Sequence, residues 1–301
     1  MQPTVRHLTA AAALVAALVV PGASQAQRIV TPGDGTWSMD TRGTSGSGGI
    51  TGENPREGNG SLALHVTGDL GDWAFFNLFS GDAFTTAGWG RVADLQTLAW
   101  DWYRASIPGE PEGDLPWQAQ TPVLRLYVRH DAVGGPVFSE LVWERYYSNS
   151  TPAPRDVWVT EDLIAQSFWR RVGGDVDNTG FGYTSDADGP CANGPLVPER
   201  PLKLLTAAEW AGDEGCLPGD AVVYGVGIGV GSNWPHEYEA YADRVQLGFI
   251  EGAELAVDDN FELRTNAVPE PGTMILLGTG LAGVLGAARR RRKRERLASS
   301  E

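Results

Sequence analysis

The sequence predicts an all-β protein, an antiparallel β-sandwich with one or two short helices, and three observations carry that expectation. The 39 glycines and 19 prolines among 301 residues make a turn-dense chain without a Gly-X-Y period, which argues against a helical bundle and against collagen. Short aromatic or β-branched runs recur, each bounded by Gly, Pro or Asp. The 42% apolar and 20% charged composition supports a sizeable core and excludes disorder throughout.

The N-terminus stands apart from the sandwich. Met1 to His7 carries one Arg, Leu8 to Val20 is apolar and Ala-rich, and Ser24-Gln25-Ala26 places small residues before a cut ahead of Gln27. That is the layout of a secretory signal peptide over residues 1–26; a buried helix would need a polar face that this segment lacks. The exported sandwich is expected over residues 27–267. From Gln27 to Gly60 the chain is rich in Gly, Ser, Thr and Pro and is expected to supply at most one short strand, around Trp37. Strands are then predicted over Ser61–Thr67, Trp73–Phe79, Leu95–Arg104, Val123–His130, Val137–Tyr147, Val157–Thr160, Ala221–Gly231, Tyr241–Phe249 and Asp259–Leu263. Thr206-Ala207-Ala208-Glu209 has a capping-box pattern that predicts a short helix, and a second helix is predicted from Thr160 through Arg171.

One hairpin can be registered. Gly134-Gly135 lies midway between two predicted strands, so opposed residues should have numbers summing to 269. Leu126 then faces Trp143 and Val128 faces Leu141 on an apolar face, with Arg129 opposite Glu140, Tyr127 opposite Val142 and Arg125 opposite Glu144 on the other. Pro136 lacks an N–H to close a two-residue turn, which favours a four-residue loop closed by Ala132 and Val137. In the run after Ala221, Tyr224, Val226, Ile228 and Val230 alternate with Gly225, Gly227, Gly229 and Gly231. One face is core; the other is bare backbone that a neighbouring aromatic, a ligand or another sheet can approach, with packing inside the domain the favoured reason.

Charge narrows the function classes. Net charge is −15 overall, and residues 27–268 hold 15 basic against 35 acidic residues, a surface that repels phosphate backbones and excludes nucleic acid as a partner. Catalysis is not expected: His65, His130 and His236 lie in no recognisable nucleophile setting, and no Gly-x-Ser-x-Gly elbow exists. Glu140 and Glu144, two turns of alternation apart on one strand, are the sole basis for a glycoside hydrolase alternative, and opposed arginines would hold both ionised. The eleven tryptophans exceed what such a core needs, and Trp89, Trp117 and Trp234 sit beside turn residues, where an indole face suits a pyranose ring. Arg125, Tyr127, Arg129 and Glu140 on the outward face of the hairpin are the second candidate glycan contacts, a ladder of solvated ion pairs being the plainer reading.

No cofactor is expected, except a structural calcium ion. Asp175, Asp177 and Asp186 repeat part of an EF-hand spacing, although position twelve should be Glu and an Asp-rich turn explains the run as well. Cys191 and Cys216 lie in the exported part, where a disulfide closing a loop of about 26 residues would contribute roughly 3–4 kcal/mol.

The C-terminus has three parts: Val268-Pro269-Glu270-Pro271, an uncharged Gly-rich run over residues 272–288, and a basic tail over 289–296. Seventeen helical residues cover roughly 25 Å, just enough to span a membrane thinly, with the arginines kept on the cytoplasmic side. Pro269, Glu270 and Pro271, the apolar run and the Arg cluster together resemble the PEP-CTERM sorting signal. The resemblance implies a Gram-negative bacterium, an exosortase that processes the protein, a transient inner-membrane anchor, and delivery to the cell surface or exopolysaccharide matrix; a permanent single-pass anchor is the alternative. The strand pattern from Pro201 through Glu262 resembles jelly-roll carbohydrate-binding and lectin-like modules. Such jelly rolls often hold a structural ion near the end of the sandwich, which makes Asp258 and Asp259 further calcium candidates. The function expected is a non-catalytic, polysaccharide-associated binding module; the alternatives are a surface structural or adhesion protein without glycan affinity, and a glycoside hydrolase.

Overall fold

A computed structural model describes residues 27–42, 45–69, 71–81, 88–109, 118–132, 135–148, 151–173, 203–212, 217–231, 236–250 and 255–263. They form two sheets packed face to face. The first contains β1 (Arg28–Val30), β3 (Ser47–Thr51), β4 (Ser61–Val66), β7 (Thr97–Arg104), β10 (Trp158–Asp162), β13 (Tyr238–Gly248) and β14 (Val257–Phe261). The second contains β2 (Trp37–Arg42), β5 (Trp73–Phe79), β6 (Gly90–Arg91), β8 (Val123–Ala132), β9 (Gly135–Trp143), β11 (Trp169–Gly173) and β12 (Val222–Gly231). The described residues also include two single-turn helices, α1 (Arg145–Ser148) and α2 (Ala207–Trp210), and a 3₁₀ turn at Val92–Asp94.

Long β13 organises the first sheet. It pairs with β7 along one side, and on the other with β4 at its start and β14 at its end. A register shift between Asp243 and Gln246, with Arg244 at φ 50°, bends the strand where those two partners part. Asp243 serves that bend: its Oδ1 accepts the N–H groups of Arg244 and Phe261, both at 2.9 Å. A parallel pairing, the only one among the described residues, sets β1 on β14 and brings Arg28 beside Asp259. In the second sheet β12 is central, with β8 on one side and β5 and β6 on the other.

The core follows from period-2 alternation. Leu62, Leu64, Val66, Leu98, Trp100, Trp102, Ala240 and Leu247 of the first sheet meet Phe76, Leu78, Leu124, Leu126, Leu141, Trp143, Val226 and Ile228 of the second. Trp143 is fully buried and meets Trp100 edge to face at 6.0 Å. Helix α2 begins as its sequence requires: Thr206 accepts from Glu209 N, and the Glu209 side chain accepts from Thr206 N.

Four expectations are corrected. Residues 27–60 supply three strands, because short β1 and β3 pair with β14 and β4 and add Val30 and Ile50 to the core. The predicted helix over Thr160–Arg171 is instead the end of β10, a turn, and the start of β11. The strand predicted to Tyr147 stops at Trp143, where α1 takes over. In the hairpin, opposed numbers sum to 267: Leu124 faces Trp143, Leu126 faces Leu141, Tyr127 faces Glu140, Arg125 faces Val142 and Arg129 faces Phe138. The shift of two preserves every side chain's face but exchanges its cross-strand neighbour. Ala132 pairs with Gly135, so the connection is two residues, not four. Pro136 falls one step inside that closing pair, and alternate pairs of an antiparallel ladder exchange no backbone hydrogen bonds, so its missing N–H costs nothing.

Candidate functional site

The glycine stripe of β12 lies at the centre of the second sheet's outer face, and neighbouring side chains lie flat across it. A Cβ on Gly229 would overlap the Phe75 ring, one on Gly227 would come within 2.5 Å of Asn77 Oδ1, and one on Gly225 within 2.5 Å of Phe79. The absent side chains are thus replaced by rings from the flanking strands β5 and β8. A register shift between Val223 and Gly225 turns Tyr224 to this same face, which corrects the alternation's placement of Tyr224 on the core face with Val226. Phe79 stacks on Tyr224 with ring planes 17° apart and lies 5.0 Å from the Tyr127 ring, while Phe138 meets Tyr224 edge-on. Phe79, at 39% exposure, is the accessible member of this plate.

Charged groups surround the plate. Glu140 is buried between two guanidiniums, its Oε2 lying 3.4 Å from Arg125 Nη1 and 3.6 Å from Arg171 Nη1. Arg125 also stacks on Phe75, 3.7 Å from the ring centroid. Tyr127 donates its hydroxyl to Asn77 Oδ1 at 2.8 Å, and burial raises its pKa, so it remains a phenol. Arg129 pairs with Asp131 at 2.9 Å instead of with Glu140.

Of the residues read from sequence as glycan contacts, the structure gathers Arg125, Tyr127, Arg129 and Glu140 on this face, with Tyr127 and Glu140 beneath the surface. Trp89 is half-buried against the core. Trp117 and Trp234 lie outside the described residues, as do Cys191, Cys216, Asp175, Asp177, Asp186, Pro269, Glu270 and Pro271. Asp258 and Asp259 do not form a joint ion site, because adjacent strand residues point to opposite faces. Asp259 turns inward, where Arg28 and the Trp37 indole, at 2.7 Å, donate to its carboxylate; Asp258 turns outward to Gln246. Among the described residues no cluster of three or more His, Cys, Asp or Glu could hold a metal ion. Sequence reasoning missed Phe75, Asn77, Phe79, Tyr224 and Arg171. The glycine alternation was the signal for the first three, since bare backbone at a sheet centre calls for side chains from both neighbours.

Glu144 follows β9, and burial pushes its carboxyl up to about 7, opposed by the charge of Arg125 and by the Trp169 indole. Asp243 is likewise pushed up to about 7 by burial, opposed by the two N–H groups at the bend and reinforced by Glu262 and Asp101. Both groups hold protons in the folded state at pH values where the unfolded chain has released them. Stability is therefore fully present below the unfolded carboxylate range near pH 4 and declines as pH rises through about 7, by on the order of a few kcal/mol. Thermal melts from pH 4.5 to 8 are expected to show this decline, and Glu144→Gln with Asp243→Asn to flatten it; an unchanged slope in the double variant would sink the assignment.

Comparison with solved structures gives distant matches. A family 11 carbohydrate-binding module from Clostridium thermocellum in complex with a β-1,3-1,4-mixed-linked tetrasaccharide aligns at 12% identity and TM-score 0.36, covering 72% of this chain and 91% of that one. The family 11 module of a cellulosomal cellulase from Clostridium thermocellum aligns at 11% identity and TM-score 0.36, covering 76% and 98%. A β-1,2-glucanase from Parabacteroides distasonis aligns at 11% identity and TM-score 0.34, covering 72% of this chain and 23% of that one. No curated protein matches the sequence. Among the described residues no helix is long and apolar enough to cross a membrane, and segment 272–288 lies outside them. Residues 267–292 match the PEP-CTERM protein-sorting motif, so the chain is an exported protein that carries this sorting signal at its C-terminal end.

Proposed function

We propose that the exported sandwich is a non-catalytic, polysaccharide-associated module of the cell surface or extracellular matrix, and that it meets glycan on the outer face of the second sheet. The observation that supports this reading is the aromatic plate over the β12 glycines: an accessible Phe79 ring, backed by Tyr224 and Tyr127, with the guanidiniums of Arg125, Arg129 and Arg171 at its margin. An apolar ring face beside hydrogen-bonding groups is what a pyranose ring requires. Glycosidase chemistry is disfavoured because Glu140 is clamped by two arginines and buried, while Glu144 lies beyond the strand end. Exosortase is the processing partner in this reading, and segment 272–288 is a temporary inner-membrane anchor whose removal follows sorting.

The full chain, and the native surface protein, should be captured by the producing organism's own exopolysaccharide, with Phe79→Ala weakening retention about tenfold. The intact mass of the captured native protein should lack residues 289–301. Absence of retention would leave the structural or adhesion reading in its place, and a mass that includes the Arg block would show a permanent anchor.

A further inference from the structure

The first sheet carries an aromatic row on its own outer face that the plate does not use. Four successive pairings place Trp158 of β10 opposite Tyr103 of β7, Tyr103 opposite Tyr241 of β13, Tyr241 opposite Ala63 of β4, and Ala63 opposite Gly49 of β3. With strands about 4.8 Å apart, this row crosses five strands over roughly 19 Å. The three rings stand at centroid separations of 5.7 Å, and beyond them the row ends on small residues; a Cβ on Gly49 would meet nothing within 4 Å. Trp158 and Tyr103 are only partly buried and form the accessible end of the row, whereas Tyr241, at 2% exposure, is covered.

Hydrogen-bonding groups border the row. Tyr103 Oη donates to Asp156 Oδ1 at 3.4 Å, and Asp156 is fixed at φ 57° while accepting from Ser106 N at 2.9 Å. Tyr241 Oη donates to Glu239 and lies 3.2 Å from Glu53 Oε2, and His65 meets Glu237 at 3.2 Å. Of the cations facing this surface, Arg56 and Arg244 are engaged by Asp101 and Glu57, and Arg155 lies near Asp156. Carboxylates therefore dominate the margin. They accept hydrogen bonds from hydroxyl groups and repel uronates and sulfates.

We propose that this row is a second saccharide-binding surface, selective for an uncharged polysaccharide strand, so that one domain holds two glycan chains on opposite sheets. Cross-strand aromatic pairs also stabilise a sheet on their own account, by about 0.2–1 kcal/mol each. Binding and stability must therefore be measured together. The inference adds to the plate reading and does not depend on it.

The test uses the full chain in mild detergent, with the neutral and acidic fractions of the producing organism's exopolysaccharide as probes in affinity electrophoresis. Trp158→Ala and Tyr103→Ala are expected to weaken binding to the neutral fraction at least tenfold while moving the melting temperature by only a few degrees, with Trp158→Phe restoring much of it. Phe79→Ala should leave this binding in place. Wild-type protein should cross-link the polysaccharide and raise its turbidity, and variants on either face should not. Loss of neutral-fraction binding with Phe79→Ala but not with Trp158→Ala would overturn the second surface and keep the plate; a Phe79→Ala variant that still binds both fractions and still cross-links as wild type would overturn the plate and keep the second surface. Preference for the acidic fraction through this row would overturn the ligand class, and no binding to either fraction would overturn both surfaces.

Discussion

Trp143→Ala is expected to destabilise the protein by about 3–5 kcal/mol, the usual cost of emptying a buried aromatic site. Trp143 is wholly inaccessible, and its main partner across the sandwich is Trp100, at an interplanar angle of 88°. Among the described residues neither indole N–H has a hydrogen-bond partner, and the pair contributes through packing and edge-to-face contact. A domain of this kind holds only about 5–15 kcal/mol of net stability, so the loss should shift the urea midpoint severely. Trp100→Ala should cost a similar amount, and the double variant less than both together, because the second truncation opens into a cavity already formed. A midpoint within experimental scatter of wild type would show that the two sheets do not depend on this contact.

Gly229→Val should cost about 1–3 kcal/mol and abolish whatever the aromatic plate binds. The new side chain would occupy the Phe75 ring position, and Phe75 has no free direction in which to yield because the Arg125 guanidinium covers its face at 3.7 Å. Displacing Phe75 moves Arg125, and with it one of the two charges that hold Glu140. Gly219→Ala is the matched control: an added Cβ there meets nothing within 4 Å, and its melting temperature should stay near wild type. Equal behaviour of the two variants would mean that the β12 stripe is not packed as described.

Much of the second sheet was legible from local pattern. The Trp73–Phe79 run, the glycine alternation and the Thr206 capping box are each written in a few adjacent residues, and each appears where its pattern indicates. What escaped was set by distant partners. β1 is only three residues, too short to stand out, and is held by β14 and by Arg28 on Asp259, more than 200 positions away. The hairpin register failed by two because the turn was centred on Gly134-Gly135, whereas the closing pair is Ala132 with Gly135; Pro136 misled only the loop length, since the alternation of the ladder tolerates it. For Glu140, sequence identified the charge and its face, but its guanidinium partners, Arg125 by a diagonal contact and Arg171 from β11, required the true register and a strand that sequence had read as helix.

The pairing of β1 with β14 sets an order of events during secretion. An exported chain emerges N-terminus first, yet Arg28 and Trp37 find their carboxylate only when Asp259 has followed them out. The first sheet is thus closed by almost the last residues of the domain, and its opening strand waits through nearly the whole translocation, as expected of a fold dominated by non-local pairing. From Phe261 to residue 272 the chain has eleven steps, a reach of about 36 Å when extended. In the proposed reading, that leash would let the sandwich close while the apolar run is still in the lipid. An enzyme that acts at Pro269-Glu270-Pro271 would accordingly meet a finished domain on a short tether, and cutting would release cargo already folded for its destination.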